Sequence, residues 1–161
     1  MERDRRINLQ NRMMVFIAVL IVIWMAVESV LADTGYIICQ PNDYINVRIK
    51  PTRKSDAIGH LDCGDSVELY DVEKNGFIKC SGFEDDGWVS KRYIVYEKPQ
   101  VVNSMAYVVC KGRLAARKWI KGKLRKWLYN GDKIKVYCMT DEWAVTDKGF
   151  VQSQYLELEG V

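Results

Sequence analysis

The sequence predicts an all-β protein in which two small β-barrels follow one another after an apolar N-terminal segment. Three observations support this fold class. Four sequence blocks recur in the same order in the two halves of the 161-residue chain. Within each half, short segments of alternating apolar and polar residues are separated by turn residues, which is the pattern of strands. The first 32 residues stand apart, because they combine arginines with an uncharged apolar run.

The N-terminal segment, residues 1–32, is typical of an export signal. Four arginines precede an uncharged apolar run of 15 residues from Met13 to Val27. This length matches the core of a signal peptide and falls short of the roughly 20 residues that cross a bilayer. Small side chains before position 33 predict cleavage after Ala32, and an uncleaved N-terminal membrane anchor is the alternative. Both interpretations predict that the rest of the chain is exported and lies on the extracytoplasmic side, secreted or associated with the wall or membrane.

The repeated blocks predict two copies of one unit, at residues 33–98 and 99–161. The offset between matched blocks falls from 71 to 62, so the second copy lacks nine loop residues. Matched blocks in matched order indicate an internal repeat. The pairs are YIIC 36–39 with YVVC 107–110, INVR 45–48 with LAAR 114–117, CGDSVELY 63–70 with NGDKIKVY 130–137, and GWVSKRYI 87–94 with GFVQSQYL 149–156.

Each copy is expected to contain about five short strands. Val67 and Leu69 in the first copy, and Ile134 and Val136 in the second, alternate with polar neighbours. The stretches EKNG, SGFEDDG, TDE and TDKG supply the turns between strands. Residues 96–105 are predicted to be the linker. Copies of this size are marginally stable alone, so each needs a well-filled core.

The first copy resembles the bacterial SH3 domain. The residues that occupy the places of the family pattern are Ile45, Asn46, Val47, Arg48, Pro51, Ile58, Gly59, Leu61, Gly64, Val67, Gly87, Trp88, Val89 and Tyr93. The second copy is divergent, since it lacks the Asn and the loop proline and has Phe150 in place of the closing Trp. The resemblance implies two tandem SH3-like barrels. It also implies that an exported protein of this kind binds the cell wall, commonly the peptide part of peptidoglycan.

A basic segment lies in the second copy. It holds eight basic residues between Lys111 and Lys126 and no acidic one. Apolar residues at helical spacing favour an amphipathic helix, but Gly112 and Gly122 each cost a helix about 1 kcal/mol. The alignment places the segment at the long looped connection after the first strand and at the next strand. We therefore predict a basic loop.

This basic segment predicts a patch for an anionic polymer. The second copy carries a net charge of +5 and the first a net charge of −3. Outside the cytoplasm the partner would be a wall polyanion such as teichoic acid, or anionic lipid headgroups, and no nucleic acid is expected. A solvated loop without a ligand is the alternative. The patch residues are Lys118, Lys121, Lys123, Arg125 and Lys126.

Aromatic residues provide a second candidate surface. Many of them are expected to fill the two cores, because small barrels need large side chains there. Others are predicted to line a groove beside the long loop, where planar rings stack on sugars or peptides and arginines orient carboxylates. The predicted groove residues are Tyr44, Arg48, Trp88, Tyr93, Arg117, Trp119 and Trp127.

All five cysteines lie after the N-terminal segment. Because five is an odd number, at least one thiol has no partner within the chain. Cys110 and Cys138, the only two in the second copy, form a possible disulfide. A Cys-His nucleophile from Cys63 and His60 carries no family signature. A zinc site that adds Cys39 and Cys80 has only one close ligand pair, whereas structural zinc sites usually have two. No catalytic residue, metal or cofactor is therefore predicted.

Three functions remain open on the sequence. The first is an exported, non-catalytic tandem module that binds peptidoglycan or an anionic wall polymer. The second is a membrane-tethered adaptor, held by an uncleaved N-terminal segment, that binds a protein partner in a cell-surface assembly. The third is an enzyme that uses the Cys-His pair. The family resemblance favours the first.

Overall fold

The computed structural model of the protein describes residues 33–82 and 86–160. The predicted signal or anchor helix at residues 1–32 lies outside the described residues. In the described part, no helix has the length and apolar character needed to cross a membrane. Its regular structure consists of 14 strands in two antiparallel sheets and two short 3-10 turns. The prediction of an all-β fold is confirmed.

The first sheet is formed by the first half of the described chain. Its strand order is β3-β2-β6-β5-β4-β1-β7. Asn75 and Gly76 both have positive φ, 53° and 77°, as a two-residue hairpin turn between β4 and β5 requires. A 3-10 turn, Lys91–Tyr93, precedes the last strand. The strands are β1 Asp33–Ile37, β2 Tyr44–Arg48, β3 Ala57–Asp62, β4 Ser66–Lys74, β5 Phe77–Cys80, β6 Gly87–Ser90 and β7 Ile94–Val95.

The second sheet has the same strand order, counted from its own first strand: β10-β9-β13-β12-β11-β8-β14. A 3-10 turn, Ser153–Tyr155, again precedes the last strand. Each sheet has seven strands where about five were expected, because short segments at both ends of each half also pair. The strands are β8 Gln100–Val108, β9 Arg113–Arg117, β10 Leu124–Tyr129, β11 Lys133–Met139, β12 Trp143–Thr146, β13 Gly149–Gln152 and β14 Leu156–Leu158.

Two local predictions need correction. Residues 100–105 are not part of a linker, because they form most of β8 and pair with β11. The basic segment begins with a bend at residues 111–112 and contains a loop at residues 118–123, where Lys118 N–H donates to Lys123 O at 2.9 Å. On either side of this loop the segment forms β9 and β10. A continuous helix is excluded.

Each sheet encloses its own apolar core. In β4, buried Val67 and Leu69 alternate with exposed Ser66 and Glu68, and β11 shows the same alternation. Burial of one such aliphatic side chain contributes about 1.5–3 kcal/mol. The first core contains Ile37, Cys39, Val47, Leu61, Val67, Leu69, Ile78, Cys80, Val89 and Ile94. The second core contains Ala106, Val108, Leu114, Ala116, Leu128, Ile134, Val136, Ala144 and Val151.

A third apolar cluster joins the two sheets. Ile38 of the first half is buried together with Cys138, Trp143, Val145 and Phe150 of the second half. Partly buried residues of the first half, including Tyr93, also pack against this cluster. Residues 33–160 accordingly belong to one compact unit. Each half thus forms its own sheet, as the repeat predicts, and the two sheets also share a buried contact that the sequence did not indicate.

Candidate ligand-binding surface

The seven predicted groove residues lie in three different places rather than in one groove. Tyr44, Arg48 and Trp88 lie on the first sheet, and Arg117 and Trp127 line a cleft of the second sheet. Tyr93 and Trp119 lie where the two halves meet. The sequence could not separate these places, because they depend on how the sheets pack.

On the first sheet, Tyr44 forms an exposed aromatic pair with His60. The two ring centres are 5.3 Å apart, with the planes tilted by 59°. Tyr44 is 57% exposed, so one face of the pair is open to a ligand. Arg48 is opposite Trp88 in the pairing of β2 with β6, and both side chains are half-buried.

The two predicted arginines hold loops. Arg48 donates from Nη1 to the carbonyl oxygen of Ser55 at 2.5 Å. Arg117, at the equivalent position of the second sheet, donates from Nη1 to the carbonyl oxygen of Gly122 at 2.8 Å. Each guanidinium therefore fixes the long loop that follows its own strand. Other N–H groups of the fork remain for a ligand, since arginine has five.

The cleft of the second sheet has a volume of about 780 Å³. Arg113 lies over the ring of Trp127, with its guanidinium carbon 4.0 Å from the ring centre. The side chains of Gln152 and Gln154 also line the cleft, so amide donors and acceptors lie beside the aromatic ring. The further lining residues are Val109, Cys110, Lys111, Leu114, Ala115, Arg117, Asn130 and Tyr155.

The pair of Tyr44 with His60 and the pair of Arg113 with Trp127 occupy equivalent positions in the two sheets. Tyr44 and Arg113 begin β2 and β9. His60 is opposite Asn46 in the pairing of β2 with β3, and Trp127 is opposite Ala115 in the pairing of β9 with β10. Asn46 and Ala115 are matched in the block alignment, so the two pairs lie at equivalent positions of equivalent strands. The predicted groove residues included neither Arg113 nor His60. The block alignment contained a signal for Arg113 only, because Arg113 precedes LAAR as Tyr44 precedes INVR.

Tyr93 and Trp119 lie at the contact between the halves. The Tyr93 ring centre is 6.2 Å from that of Phe150, and burial raises the pKa of the Tyr93 phenol. The guanidinium carbon of Arg92 lies 4.5 Å from the centre of the Trp119 ring. Each of these two predicted groove residues thus contacts a residue of the other half of the protein.

The five predicted patch residues are all exposed. Lys118, Lys121 and Lys123 lie in the loop, while Arg125 and Lys126 lie on β10, the edge strand of the second sheet. Within residues 33–82 and 86–160, only Lys121 of the five has a carboxylate partner, Glu142 at 3.7 Å. An exposed pair of this kind contributes at most about 1 kcal/mol. The patch therefore keeps most of its positive charge for a partner.

The cysteines do not follow the predicted pairing. Cys138 is opposite Val101 near the start of β8, and Cys110 lies beyond the end of that strand at Val108, which is about 23 Å from Val101 at the usual rise per residue. Cys110 lines the second-sheet cleft, whereas Cys138 packs in the inter-sheet cluster. The structure thus does not bring the predicted pair together, and all five cysteines are free thiols. The register of β8, which sequence spacing does not give, separates them.

The Cys-His and zinc interpretations depended on His60 and Cys63. His60 is exposed and packs against Tyr44, whereas Cys63 packs against Cys39 and Cys138. Among the residues that the structure describes, no group of three or more His, Cys, Asp or Glu side chains is arranged to hold a metal ion.

Comparisons with known proteins agree with the resemblance in one part of the chain. No curated protein matches the sequence significantly. The solved structure of NlpC1 from Trichomonas vaginalis is 12% identical, with a TM-score of 0.35, over 80% of this chain and 46% of that one. NlpC2 from the same organism is 13% identical, with a TM-score of 0.31, over 80% and 48%. The chain spans just under half the length of these two structures. The model of the bacterial SH3 domain family matches residues 43–95, which identifies the bacterial SH3 domain within the first sheet.

Proposed function

We propose that the protein is an exported, non-catalytic module that binds the bacterial cell wall through peptidoglycan peptides and anionic wall polymer. The match of residues 43–95 to the bacterial SH3 domain carries this proposal. Export is supported by the arginines and the apolar run at the N-terminus. The equal strand order of the second sheet supports its interpretation as a divergent copy of the same barrel.

The cleft of the second sheet has the chemistry that a peptide ligand needs. Stem peptides of the wall present carboxylates, amides and short aliphatic side chains. Arg113 and Lys111 supply positive charge, and Gln152 and Gln154 supply amide hydrogen bonds. The ring of Trp127 supplies a flat apolar wall. The open pair of Tyr44 and His60 is the corresponding contact surface on the first sheet.

The basic patch adds attraction to anionic wall polymer. Its charges lie on a loop and an edge strand, and four of the five lack a carboxylate partner among the described residues. Attraction of this kind is screened when the Debye length falls below about 8 Å. Binding through the patch should therefore weaken steeply with salt, while contacts in the cleft should change little.

Retention on purified wall sacculi tests the proposal. The native chain should be retained, and the Trp127→Ala variant should be retained less at every salt concentration. Replacement of the five patch residues by Gln should remove the salt-dependent part of retention only. The matched control replaces five exposed basic residues of the first half by Gln, namely Lys50, Arg53, Lys54, Lys74 and Lys98. This control changes the net charge equally and should retain the salt dependence.

Two results would count against wall binding. Absence of retention on sacculi of any composition would exclude it. Retention that needs an added cell-surface protein would show that the chain is an adaptor instead.

A further inference from the structure

The contact between the sheets contains a cluster of three cysteines that the proposed function does not use. The Sγ atom of Cys63 lies 3.3 Å from the backbone nitrogen of Cys39 and 3.2 Å from its carbonyl oxygen. Cys63 also packs against Cys138, which belongs to β11 of the second sheet. Cys63 is therefore the common neighbour of one thiol from its own half and one from the other.

Only one of the two neighbours can bond to Cys63 at a time, because a sulfur atom forms a single disulfide. The Cys39 thiol already donates to the carbonyl oxygen of Asp43 at 3.3 Å. Cys138 packs against Cys63, and hydrogen bonding between these two thiols is the main cause that lowers the pKa of Cys63. The geometry thus favours Cys138 as the partner and leaves Cys39 hydrogen-bonded to its loop.

A small reagent can reach this cluster. The three thiols line a cavity of about 470 Å³, together with residues that include Asp62, Val101 and Tyr137. Cys63 is half-buried, whereas Cys39 and Cys138 are 2% and 7% exposed. Hydrogen bonding with Cys138 and with Cys39, which includes the backbone N–H of Cys39, lowers the pKa of Cys63, whereas hydrogen bonding with Cys63 and burial raise the pKa of both neighbours. The lowered pKa makes Cys63 the most readily ionised of the three thiols, and thiolates are the attacking species in exchange.

We propose that Cys63 and Cys138 are a modification site, at which a small-molecule disulfide oxidises the two thiols. The product is a Cys63–Cys138 disulfide bond that links the two sheets covalently. The Cys63 thiolate attacks one sulfur of the disulfide RS–SR, so that a Cys63–SR bond forms and one thiolate RS⁻ leaves. This thiolate takes the proton of Cys138. The Cys138 thiolate then attacks the Cys63 sulfur, and the second RS⁻ leaves and is protonated by solvent. Together with the proton that Cys63 releases to solvent before the attack, the protein loses two protons and two electrons, which reduce RS–SR to two RSH.

The other two cysteines are not part of this site. Cys80 is fully buried in the first core, and burial raises its pKa to about 11, which keeps its thiol protonated. Cys110 lies in the second-sheet cleft. Link formation should therefore leave three of the five thiols free. Because the link crosses the inter-sheet cluster, it should also raise the midpoint of thermal unfolding, and a reductant should reverse that rise.

The test treats the reduced full-length chain with oxidised glutathione. Thiols are then counted after denaturation by attachment of a maleimide polymer, and non-reduced peptides are mapped by mass spectrometry. The native chain should lose two thiols and yield one linked peptide that contains Cys63 and Cys138. The Cys110→Ser control should also lose two thiols. In Cys138→Ser, glutathione should remain attached to Cys63.

Three results would overturn the proposal. In the treated native chain, these are five free thiols or a disulfide between Cys39 and Cys63. In Cys138→Ser, it is a Cys39–Cys63 disulfide that forms as fast as the disulfide of the native chain. Mapping of the native chain does not depend on the folding of any variant. An absence of change in the thermal midpoint despite a complete Cys63–Cys138 link would contradict the stabilising effect.

Discussion

Arg113 lies over the ring of Trp127 at the place where, in the first sheet, Tyr44 packs against the tilted ring of His60. One sheet thus pairs a cation with an aromatic ring, and the other pairs two rings, on the same two strands. The backbone register places both pairs, and the residue types give the two surfaces different chemistry. An anionic or amide-rich ligand is better suited to the second surface, because Arg113 adds charge and hydrogen-bond donors.

Replacement of Arg113 by Ala should weaken the second surface with little effect on the fold. A cation–π contact at an exposed site contributes about 0.5–1 kcal/mol, so the free energy of unfolding should fall by that amount. Urea denaturation measures it. Arg125→Ala is the matched control, since Arg125 is equally exposed and its guanidinium lies over no ring among the described residues. An equal loss in both variants would contradict a specific stacking contact.

Gly149 should not tolerate a side chain. Its φ is 128°, and a Cβ atom would lie 2.4 Å from the carbonyl oxygen of Arg117. Gly149→Ala therefore combines backbone strain with a clash against main chain, and we expect a loss above about 2 kcal/mol. Gly112→Ala is the control, because Gly112 also has positive φ, 97°, but open space around it. Equal urea midpoints for the two variants would show that the clash is relieved by movement of β9.

Phe150→Ala should loosen the contact between the sheets. Phe150 is 1% exposed in the inter-sheet cluster, and removal of a buried phenyl ring costs about 3–5 kcal/mol. The native chain should unfold in one transition, because both sheets share this cluster. The variant should show two transitions when fluorescence and circular dichroism are followed in urea. Tyr129→Ala, at a side chain that is 57% exposed, should keep a single transition.

The pH dependence of stability should include a contribution from Glu159. Its carboxylate accepts a hydrogen bond from Lys133 Nζ at 2.8 Å, and this contact lowers the pKa of Glu159. A lowered carboxyl pKa stabilises the folded state above the ordinary glutamate value, and the contribution is lost as the pH falls through the lowered pKa. The urea midpoint of Glu159→Gln should thus lie below that of the native chain at pH 7 and converge with it in acid. Glu157→Gln, which removes an exposed carboxylate of β14, should show no such convergence.

The strands could be predicted from sequence because their signal is local. Val67 and Leu69 alternate with polar neighbours, and this pattern alone fixes which face of β4 is buried. The turn at Asn75 and Gly76 could be predicted as well, because Asn and Gly are the residue types that adopt the positive φ found there. The end of the linker was misplaced because residues 100–105 contain both apolar and polar side chains, and only their pairing with β11 defines them as strand.

The contact between the sheets could not be predicted, since a buried apolar residue looks the same whichever core it fills. Phe150 aligns with Trp88, and the sequence predicts only that many aromatic residues fill the two cores, whereas in the structure Phe150 contacts Tyr93 of the other half. The contacts of Arg48 and Arg117 could not be predicted either, because they also depend on the folded structure. An arginine predicts a cationic contact, but only the loop conformation shows that the partner is a backbone carbonyl.

The burial of Phe150 also limits the valency of the protein. Trp88 and Phe150 occupy the same position, because each is opposite the loop-binding arginine of its sheet. Trp88 is half-buried, whereas Phe150 is covered by the inter-sheet contact. A ligand that docks against Trp88 therefore finds one such position per chain. Two linked sites of equal kind can raise avidity by orders of magnitude over either site alone. For ligands at this position the chain is monovalent, and multivalent attachment would have to come from several copies of the protein on one surface.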